Sequence, residues 1–178
     1  MGGLKEKKHL KRIIIILVAS VFFLTLLFVC VNVKRFGLTY YKTIDKIARE
    51  NNLDTNFIMA VVKTESSFRE KIESSKGAVG FMQILPSTAE WVCEINNISY
   101  IEDSLTDINY NVDLGCKYYN YLLSKFDFEW AIVAYNAGEN NVTDWINKGI
   151  DLDDIPFKES KDYLKKVLSN LKYYKSFL

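Results

Sequence analysis

Hydrophobic residues recur at three- and four-residue spacing along most of the chain beyond residue 40, and this periodicity predicts a mostly α-helical domain. No long segment alternates between apolar and polar residues, so the pattern predicts no long strand. A helix that begins with a cap at Asp54 or Thr55 carries residue 65. The other predicted helices cover residues 40–51, 86–95, 108–125, 128–137, 142–147 and 158–173.

A polar loop is predicted over residues 69–85, between two of these helices. It contains Gly77 and Gly80, which tolerate a positive φ angle and allow a close approach of the backbone to a ligand. Pro86 suits the first position of the next helix, and Gly138 is a typical helix-ending residue.

The N-terminal segment differs from the rest because residues 13–33 contain no charged side chain. As a helix this segment would be roughly 31 Å long, which matches a bilayer core of about 30 Å. Basic residues precede it, so the positive-inside rule predicts that residues 1–12 stay in the cytoplasm. We expect residues 13–33 to be an uncleaved transmembrane signal anchor, residues 34–39 a short tether, and residues 40–178 an extracytoplasmic domain.

Two other interpretations of the N-terminal segment stay open. A cleaved secretory signal usually has an apolar core of about 7–15 residues and a small-x-small cleavage site, and neither is found here. A lipoprotein signal centred on Cys30 needs small residues before that cysteine, where this chain has Phe28 and Val29. A single-pass protein of the cell membrane is therefore the favoured prediction.

Composition excludes several function classes for the outer domain. Residues 34–178 carry 18 Lys and Arg against 21 Asp and Glu, which is not the balance of a nucleic-acid-binding protein. One His and no Cys/His cluster argue against a zinc site. Cys93 and Cys116 define no disulfide framework, and we interpret them as two separate buried thiols.

Glu65 is the first candidate for chemistry because it shares an apolar stripe with hydrophobic residues. The stripe consists of Phe57, Val61, Val62, Glu65 and Phe68, at helical spacing. Burial of an ionised carboxylate is costly, so desolvation raises the carboxyl pKa and favours a general acid near neutral pH. The alternative is a glutamate on a helix surface, which is the usual place for this residue type.

Four ordered motifs resemble those of the lytic transglycosylases, the lysozyme-like enzymes that cut bacterial cell-wall glycan. The resemblance covers roughly residues 45–170 and implies a lysozyme-like fold with peptidoglycan as substrate. Four motifs in the family's order form a specific signal. In chain order they are Glu65-Ser66, Gly77–Ala89, Ala134–Gly138 and Ile155–Tyr163.

The resemblance implies that one carboxyl group suffices for catalysis, and Glu65 is the matching residue. In the family, the acid protonates the oxygen between N-acetylmuramic acid and N-acetylglucosamine. The same residue then removes the proton of the muramyl C6 hydroxyl, which closes onto C1 as a 1,6-anhydro ring. An internal nucleophile of this kind has a high effective molarity. No metal or organic cofactor is implied.

The resemblance implies four substrate-binding residues in the loop, and two of them, Ser74 and Met82, have an alternative interpretation. Ser74 matches a family serine near the acid, although a plain loop serine explains it equally well. Gly80 allows a close approach to the sugar. Met82 and Gln83 are expected to contact the glycan, with a core position as the rival interpretation of Met82.

The two later motifs supply Tyr135, Asn136 and Glu159. The phenol and the amide end a helix where they can steady the acid or the oxocarbenium-like state, and a half-buried core aromatic is the alternative for Tyr135. Glu159 matches a carboxylate that borders the cleft, with an ion pair or an exposed helix start as the alternative.

Three positions depart from the family pattern. Phe81 stands where leucine is usual, and Ser160 and Lys161 replace threonine and arginine. Lysine lacks the bidentate contacts of arginine, so a role of that arginine does not transfer to Lys161. Two rival functions stay open: a hydrolase that uses water on a related fold, and a non-catalytic glycan-binding scaffold of an envelope machine.

Overall fold

The computed structural model describes residues 2–35 and 37–177, and the chain divides into two compact units, residues 1–39 and residues 40–178. The first unit contains helix α1 (Gly2–Arg35). Within α1, the 21 residues Lys11–Val31 contain an 18-residue window with a mean hydropathy of 3.2. By length and composition this is the one helix of the described residues that can cross a membrane, and an N-terminal signal sequence has the same properties.

The second unit is built from α-helices, with short 3-10 turns at Glu102–Thr106 and Leu152–Asp154. The described residues form no extended strand, in agreement with the hydrophobic pattern. The helices are α2 (Tyr41–Glu50), α3 (Thr55–Glu65), α4 (Pro86–Ile95), α5 (Ile108–Leu123), α6 (Phe128–Ala137), α7 (Glu139–Asn147) and α8 (Lys158–Phe177).

The predicted helices are confirmed, and their ends differ by two or more residues in three places. Helix α5 ends two residues early, at Leu123, and α8 continues four residues further, to Phe177. Helix α7 begins at Glu139 instead of residue 142. The reason is Gly138, whose φ of +87° ends α6 and starts α7 within one residue.

Helix α3 is the central element of the second unit. Its first turn is capped by Asp54, whose carboxylate accepts hydrogen bonds from the backbone N–H groups of Asn56 and Phe57. All six residues from Phe57 to Val62 are buried, because α3 packs against both α2 and α8. The sequence pattern predicts one buried stripe on α3, whereas in the structure the helix is covered by other helices on more than one side.

The chain reverses sharply after Glu65, the last residue of α3. Ser67 and Phe68 follow with φ angles of +52° and +61°, a left-handed conformation that costs non-glycine residues energy. The Phe68 ring is buried and stacks on Tyr40, with 6.3 Å between ring centroids. Phe68 therefore belongs to the turn and not to the helical stripe.

The loop between α3 and α4 is fixed by one amide from α5. Asn111, which is fully buried, accepts a hydrogen bond from the Met82 N–H at 2.7 Å. Its NH₂ group donates to the carbonyl oxygens of Val79, at 3.0 Å, and Leu105, at 2.8 Å. One side chain thus holds the loop, α5 and the 3-10 turn together.

Cys93 and Cys116 are both buried and form no disulfide. The interpretation as two separate buried thiols is confirmed.

Candidate active site

Glu65 occupies the end of α3 with its side chain partly buried. The Tyr163 hydroxyl donates a hydrogen bond of 2.6 Å to Glu65 Oε1. Burial raises the pKa of Glu65 to about 7, and the hydrogen bond from Tyr163 acts in the opposite direction. Glu65 therefore titrates near neutral pH, which suits a group that both gives and takes a proton.

The position of Glu65 at the end of α3 favours the protonated carboxyl, as burial does. The C-terminal end of an α-helix carries a partial negative charge from its unpaired carbonyl groups. A second negative charge at this place is unfavourable, so the end of α3 favours the protonated carboxyl.

Three tyrosines from three helices lie behind this carboxyl: Tyr119 of α5, Tyr135 of α6 and Tyr163 of α8. The rings of Tyr119 and Tyr135 stack with centroids 4.3 Å apart and an interplanar angle of 3°. The hydroxyl oxygens of Tyr119 and Tyr163 are 3.3 Å apart. Burial raises the pKa of all three phenols well above the ordinary value, so each keeps its proton at neutral pH.

The two adjacent residues of the third motif have different surroundings. The hydroxyl of Tyr135 donates to the main-chain carbonyl of Met82 at 2.8 Å, which joins α6 to the loop. Asn136 is exposed, and its Oδ1 accepts a hydrogen bond of 2.7 Å from Ser160. Ser160, one of the departures from the family pattern, therefore contacts a predicted site residue directly.

Met82 and Gln83 are placed differently from each other. The Met82 side chain has no exposed surface and packs against Gly115, where an added Cβ atom would lie 2.3 Å from the Met82 sulfur. Met82 is fully buried, which favours the core interpretation, and its main-chain N–H and C=O groups bond to Asn111 and Tyr135 inside the protein. Gln83 has a φ of +48°, and its Nε2 donates to the carbonyl oxygens of Ile72, at 3.2 Å, and Gly80, at 3.0 Å.

Ser74 and Glu159 lie away from direct contact with the acid. The Ser74 hydroxyl accepts hydrogen bonds from the N–H groups of Lys76 and Ala78, so its bonds lie within its own turn. Glu159 is exposed at the start of α8 and forms an ion pair of 3.7 Å with Lys76 of the loop. Exposed ion pairs of this kind contribute about 0–1 kcal/mol to stability. The pair therefore shows that Glu159 and Lys76 are close together, and it adds little to the stability of the fold.

Sequence reasoning missed three residues of this site. Tyr163 was part of the closing motif, but no role was assigned to it. Tyr119 stands in a tyrosine-rich segment of α5 with Tyr118 and Tyr121, and helical spacing alone does not tell which ring points inward. Asn111 is a polar residue on a half-polar helix, and no local signal distinguishes a buried amide from a solvated one.

Comparison with known proteins identifies relatives of this arrangement. The chain is 31% identical over 156 residues to the soluble lytic murein transglycosylase of Salmonella typhimurium, an alignment that covers 82% of this chain and 24% of the relative. The fold is similar to the 70 kDa soluble lytic transglycosylase of Escherichia coli, with a TM-score of 0.75, 31% identity, and coverage of 80% of this chain and 25% of that one.

A similar structure is also known from Pseudomonas aeruginosa, the lytic transglycosylase Slt, solved as an inactive glutamate-to-glutamine mutant. Its TM-score is 0.74 at 29% identity, over 80% of this chain and 25% of that chain. The chain thus spans about a quarter of the length of these relatives. The model of the transglycosylase SLT domain matches residues 42–157. The chain therefore belongs to the transglycosylase SLT domain family, with its lysozyme-like helical fold.

Proposed function

We propose that this protein is a peptidoglycan lytic transglycosylase. It cleaves the bond between N-acetylmuramic acid and N-acetylglucosamine without water and leaves a 1,6-anhydromuramic end. The observation that carries the proposal is the Glu65 carboxyl, whose pKa of about 7 suits both an acid and a base at neutral pH. The names of the relatives support the same activity.

In the first step, protonated Glu65 donates its proton to the glycosidic oxygen. The bond between that oxygen and C1 of the muramic acid breaks, and the glucosamine leaves as an alcohol. The Tyr163 hydroxyl holds Oε1, so Oε2 is the oxygen that carries the transferred proton. As the charge on Glu65 develops, the hydrogen bond from Tyr163 becomes stronger and stabilises the carboxylate.

In the second step, the same carboxylate removes the proton of the muramyl C6 hydroxyl. The C6 oxygen forms a bond to C1, which closes the 1,6-anhydro ring and restores protonated Glu65. No water is consumed. Because the nucleophile belongs to the substrate, the site needs no second carboxylate to position a water or form a covalent intermediate.

The surroundings of Glu65 support a single acid. Burial and the Tyr163 hydrogen bond are the causes of its pKa shift, and neither is a neighbouring carboxylate. Glu70, Glu73 and Glu159 of the motif region are exposed, and Asp162 of the closing motif forms an ion pair with Lys158. None of them shares the enclosed position of Glu65 beside the three tyrosines.

The glycan contacts in this proposal come from the loop, from the end of α6 and from the start of α8. The backbone of the loop and the exposed amide of Asn136 offer polar contacts to a sugar. The exposed Glu159 borders the cleft beside Lys76. The proposed substrate-binding residues are Ser74, Gly80, Gln83, Tyr135, Asn136 and Glu159, whereas the fully buried Met82 supports the loop from the core.

Mass spectrometry of the products tests the reaction. The full chain in a mild detergent is incubated with isolated peptidoglycan, and the released fragments are weighed. We expect 1,6-anhydromuramic ends from the wild type, none from Glu65→Gln, and normal release from the control Glu94→Gln, which changes an exposed glutamate of α4. Products heavier by one water indicate a hydrolase, and retained binding without products indicates a scaffold.

The proposal also includes a membrane anchor. Residues 13–33 cross the cell membrane, with the basic N-terminus inside and residues 40–178 outside. The apolar span Lys11–Val31 supports this by its length and hydropathy. Protease added to intact spheroplasts should degrade residues 40–178, and sodium carbonate should fail to extract the protein. Full extraction of a shortened chain would indicate a cleaved signal instead.

A further inference from the structure

Tyr119 completes a chain of hydroxyl groups behind Glu65. Its hydroxyl oxygen lies 3.3 Å from that of Tyr163, which in turn lies 2.6 Å from Glu65 Oε1. A phenol has one proton to donate, and Tyr163 donates its proton to Glu65. Tyr119 is therefore the donor in the 3.3 Å contact, and donation runs from Tyr119 to Tyr163 to Glu65.

The surroundings of Tyr119 hold its ring in one orientation. The side chain has no exposed surface. One face of the ring stacks on Tyr135, and the Phe57 ring meets it edge-on at 4.9 Å and 76°. A ring fixed in this way directs its hydroxyl toward one partner, and that partner is the hydroxyl of Tyr163.

We propose that Tyr119 is a positioning residue whose hydroxyl fixes the Tyr163 hydroxyl and, through it, Glu65. The predicted effect on catalysis rests on the proposed function, whereas the effect on Glu65 itself does not. Hydrogen bonds in a chain polarise one another, so accepting a proton from Tyr119 makes Tyr163 a stronger donor. A stronger donor favours the carboxylate form of Glu65 and offsets part of the effect of burial.

The other titratable groups that face this chain do not titrate near neutral pH. They are Tyr135 from α6 and, from α5, Cys116 and Tyr118. Burial raises the pKa of Cys116 and of Tyr118 to about 12 each, and that of Tyr135 well above its ordinary value. A titration of this cluster near pH 7 therefore reports Glu65.

Carbon-13 NMR of the full chain in detergent tests the proposal. Side-chain carboxyl carbons of glutamate are labelled, and the Glu65 signal is identified by its loss in Glu65→Gln. In Tyr119→Phe, which keeps the ring stacking, we expect the Glu65 pKa to rise by about 0.3–1 pH unit. The control is Tyr100→Phe, because the buried Tyr100 hydroxyl has no hydrogen-bond partner in the described part of the chain. The control should leave the Glu65 titration unchanged.

A double-mutant cycle separates positioning from a general structural role. If Tyr119 acts through Tyr163, then adding Tyr119→Phe to Tyr163→Phe should change the Glu65 pKa no further. An equal shift in both backgrounds, or no shift in the wild-type background, would overturn the proposal. Thermal unfolding of each variant checks that the fold is kept.

Kinetics on isolated peptidoglycan supply the second readout. We expect kcat of Tyr119→Phe to fall about three- to tenfold, the effect of one lost hydrogen bond, with little change in KM. If the wild type releases no glycan, the proposed function fails, but the NMR titration still decides the role of Tyr119. If the wild type is active and Tyr119→Phe equals it in both kcat and Glu65 pKa, the positioning role fails alone.

Discussion

The Tyr163 hydroxyl lies 2.6 Å from Glu65 Oε1, although 98 residues separate the two in the chain. The contact depends on the packing of α3 against α8, which brings the end of one helix to the first turns of the other. Glu65 is thus held between two opposing effects. Burial favours its protonated form, and the phenol favours its ionised form.

The pH dependence of activity should follow this balance. The proposed first step needs protonated Glu65, so kcat/KM should fall as the pH rises through about 7. Tyr163→Phe removes the hydrogen-bond donor that favours the Glu65 carboxylate, so the pKa of Glu65 should rise. The fall of kcat/KM with increasing pH should then occur at higher pH than in the wild type. Initial rates of glycan release from pH 5 to 9 measure both profiles. Superimposable alkaline limbs would show that Tyr163 does not tune the acid.

Stability should also depend on the protonation of Glu65. Its pKa rises from an ordinary 4.5 to about 7 on folding, so the folded state binds the proton more tightly than the unfolded state. The resulting stability is complete below pH 4.5 and is lost as the pH rises through 7. Glu65→Gln stays neutral and avoids this loss, which should make it more stable than the wild type by up to ~3 kcal/mol above pH 7.

Urea unfolding followed by tryptophan fluorescence measures this difference, because all three tryptophans lie in residues 40–178. The advantage of Glu65→Gln should be small at pH 5 and large at pH 8. The same difference at both pH values would mean that the pKa of Glu65 does not change on folding.

Two glycines of the loop offer a matched pair of substitutions. Gly77 and Gly80 both have a φ of +79°. A Cβ atom added at Gly80 would lie 2.6 Å from the Asn111 amide nitrogen and 2.6 Å from the Leu105 carbonyl oxygen. A Cβ atom added at Gly77 would meet no atom within 4 Å. Gly77→Ala should therefore lower the free energy of unfolding only by the cost of an alanine in the left-handed conformation, about 1–2 kcal/mol. Gly80→Ala should cost about 3 kcal/mol or more, because backbone and a buried amide must move. Thermal unfolding ranks the two, and equal costs would contradict the close packing at Gly80.

Asn111 should be the most sensitive polar residue of the loop support. Asn111→Ala leaves the Met82 N–H and the carbonyl oxygens of Val79 and Leu105 without their partner. Each buried polar group without a partner costs about 1–3 kcal/mol, so Asn111→Ala should lower the free energy of unfolding by about 3 kcal/mol. Asn109→Ala, on an exposed position of the same helix, is the control and should cost under about 1 kcal/mol. Urea unfolding at neutral pH compares them.

Much of the fold could be predicted from local signals. Asp54 as a cap, Pro86 as a first helical residue and Gly138 as a helix end all act within a few residues, and the structure confirms each. Helix ends that depend on packing were less predictable. Helix α8 continues past residue 173 because Leu171 and Tyr174 are buried, and that burial depends on residues distant in sequence.

Local physical signals predicted the acid of the site, and the resemblance to the family added Tyr135, whereas Tyr119, Tyr163 and Asn111 were not predicted. Glu65 stood out because a carboxylate on an apolar stripe is unusual, and the structure gives it a raised pKa. Its partners come from α5, α6 and α8, and their contacts depend on how these helices cross. The side chain of Met82 shows the same limit, since its burial against Gly115 of α5 has no signature in the loop sequence.

The anchoring of the loop by Asn111 has a thermodynamic consequence for any ligand that binds along residues 77–83. The backbone of this segment is ordered when the protein folds, since the Asn111 amide is buried and its bonds are made without a ligand. A ligand therefore does not pay the entropy of ordering these residues on binding. Calorimetry should find a heat-capacity change that the buried contact area alone explains, without the larger value of coupled folding.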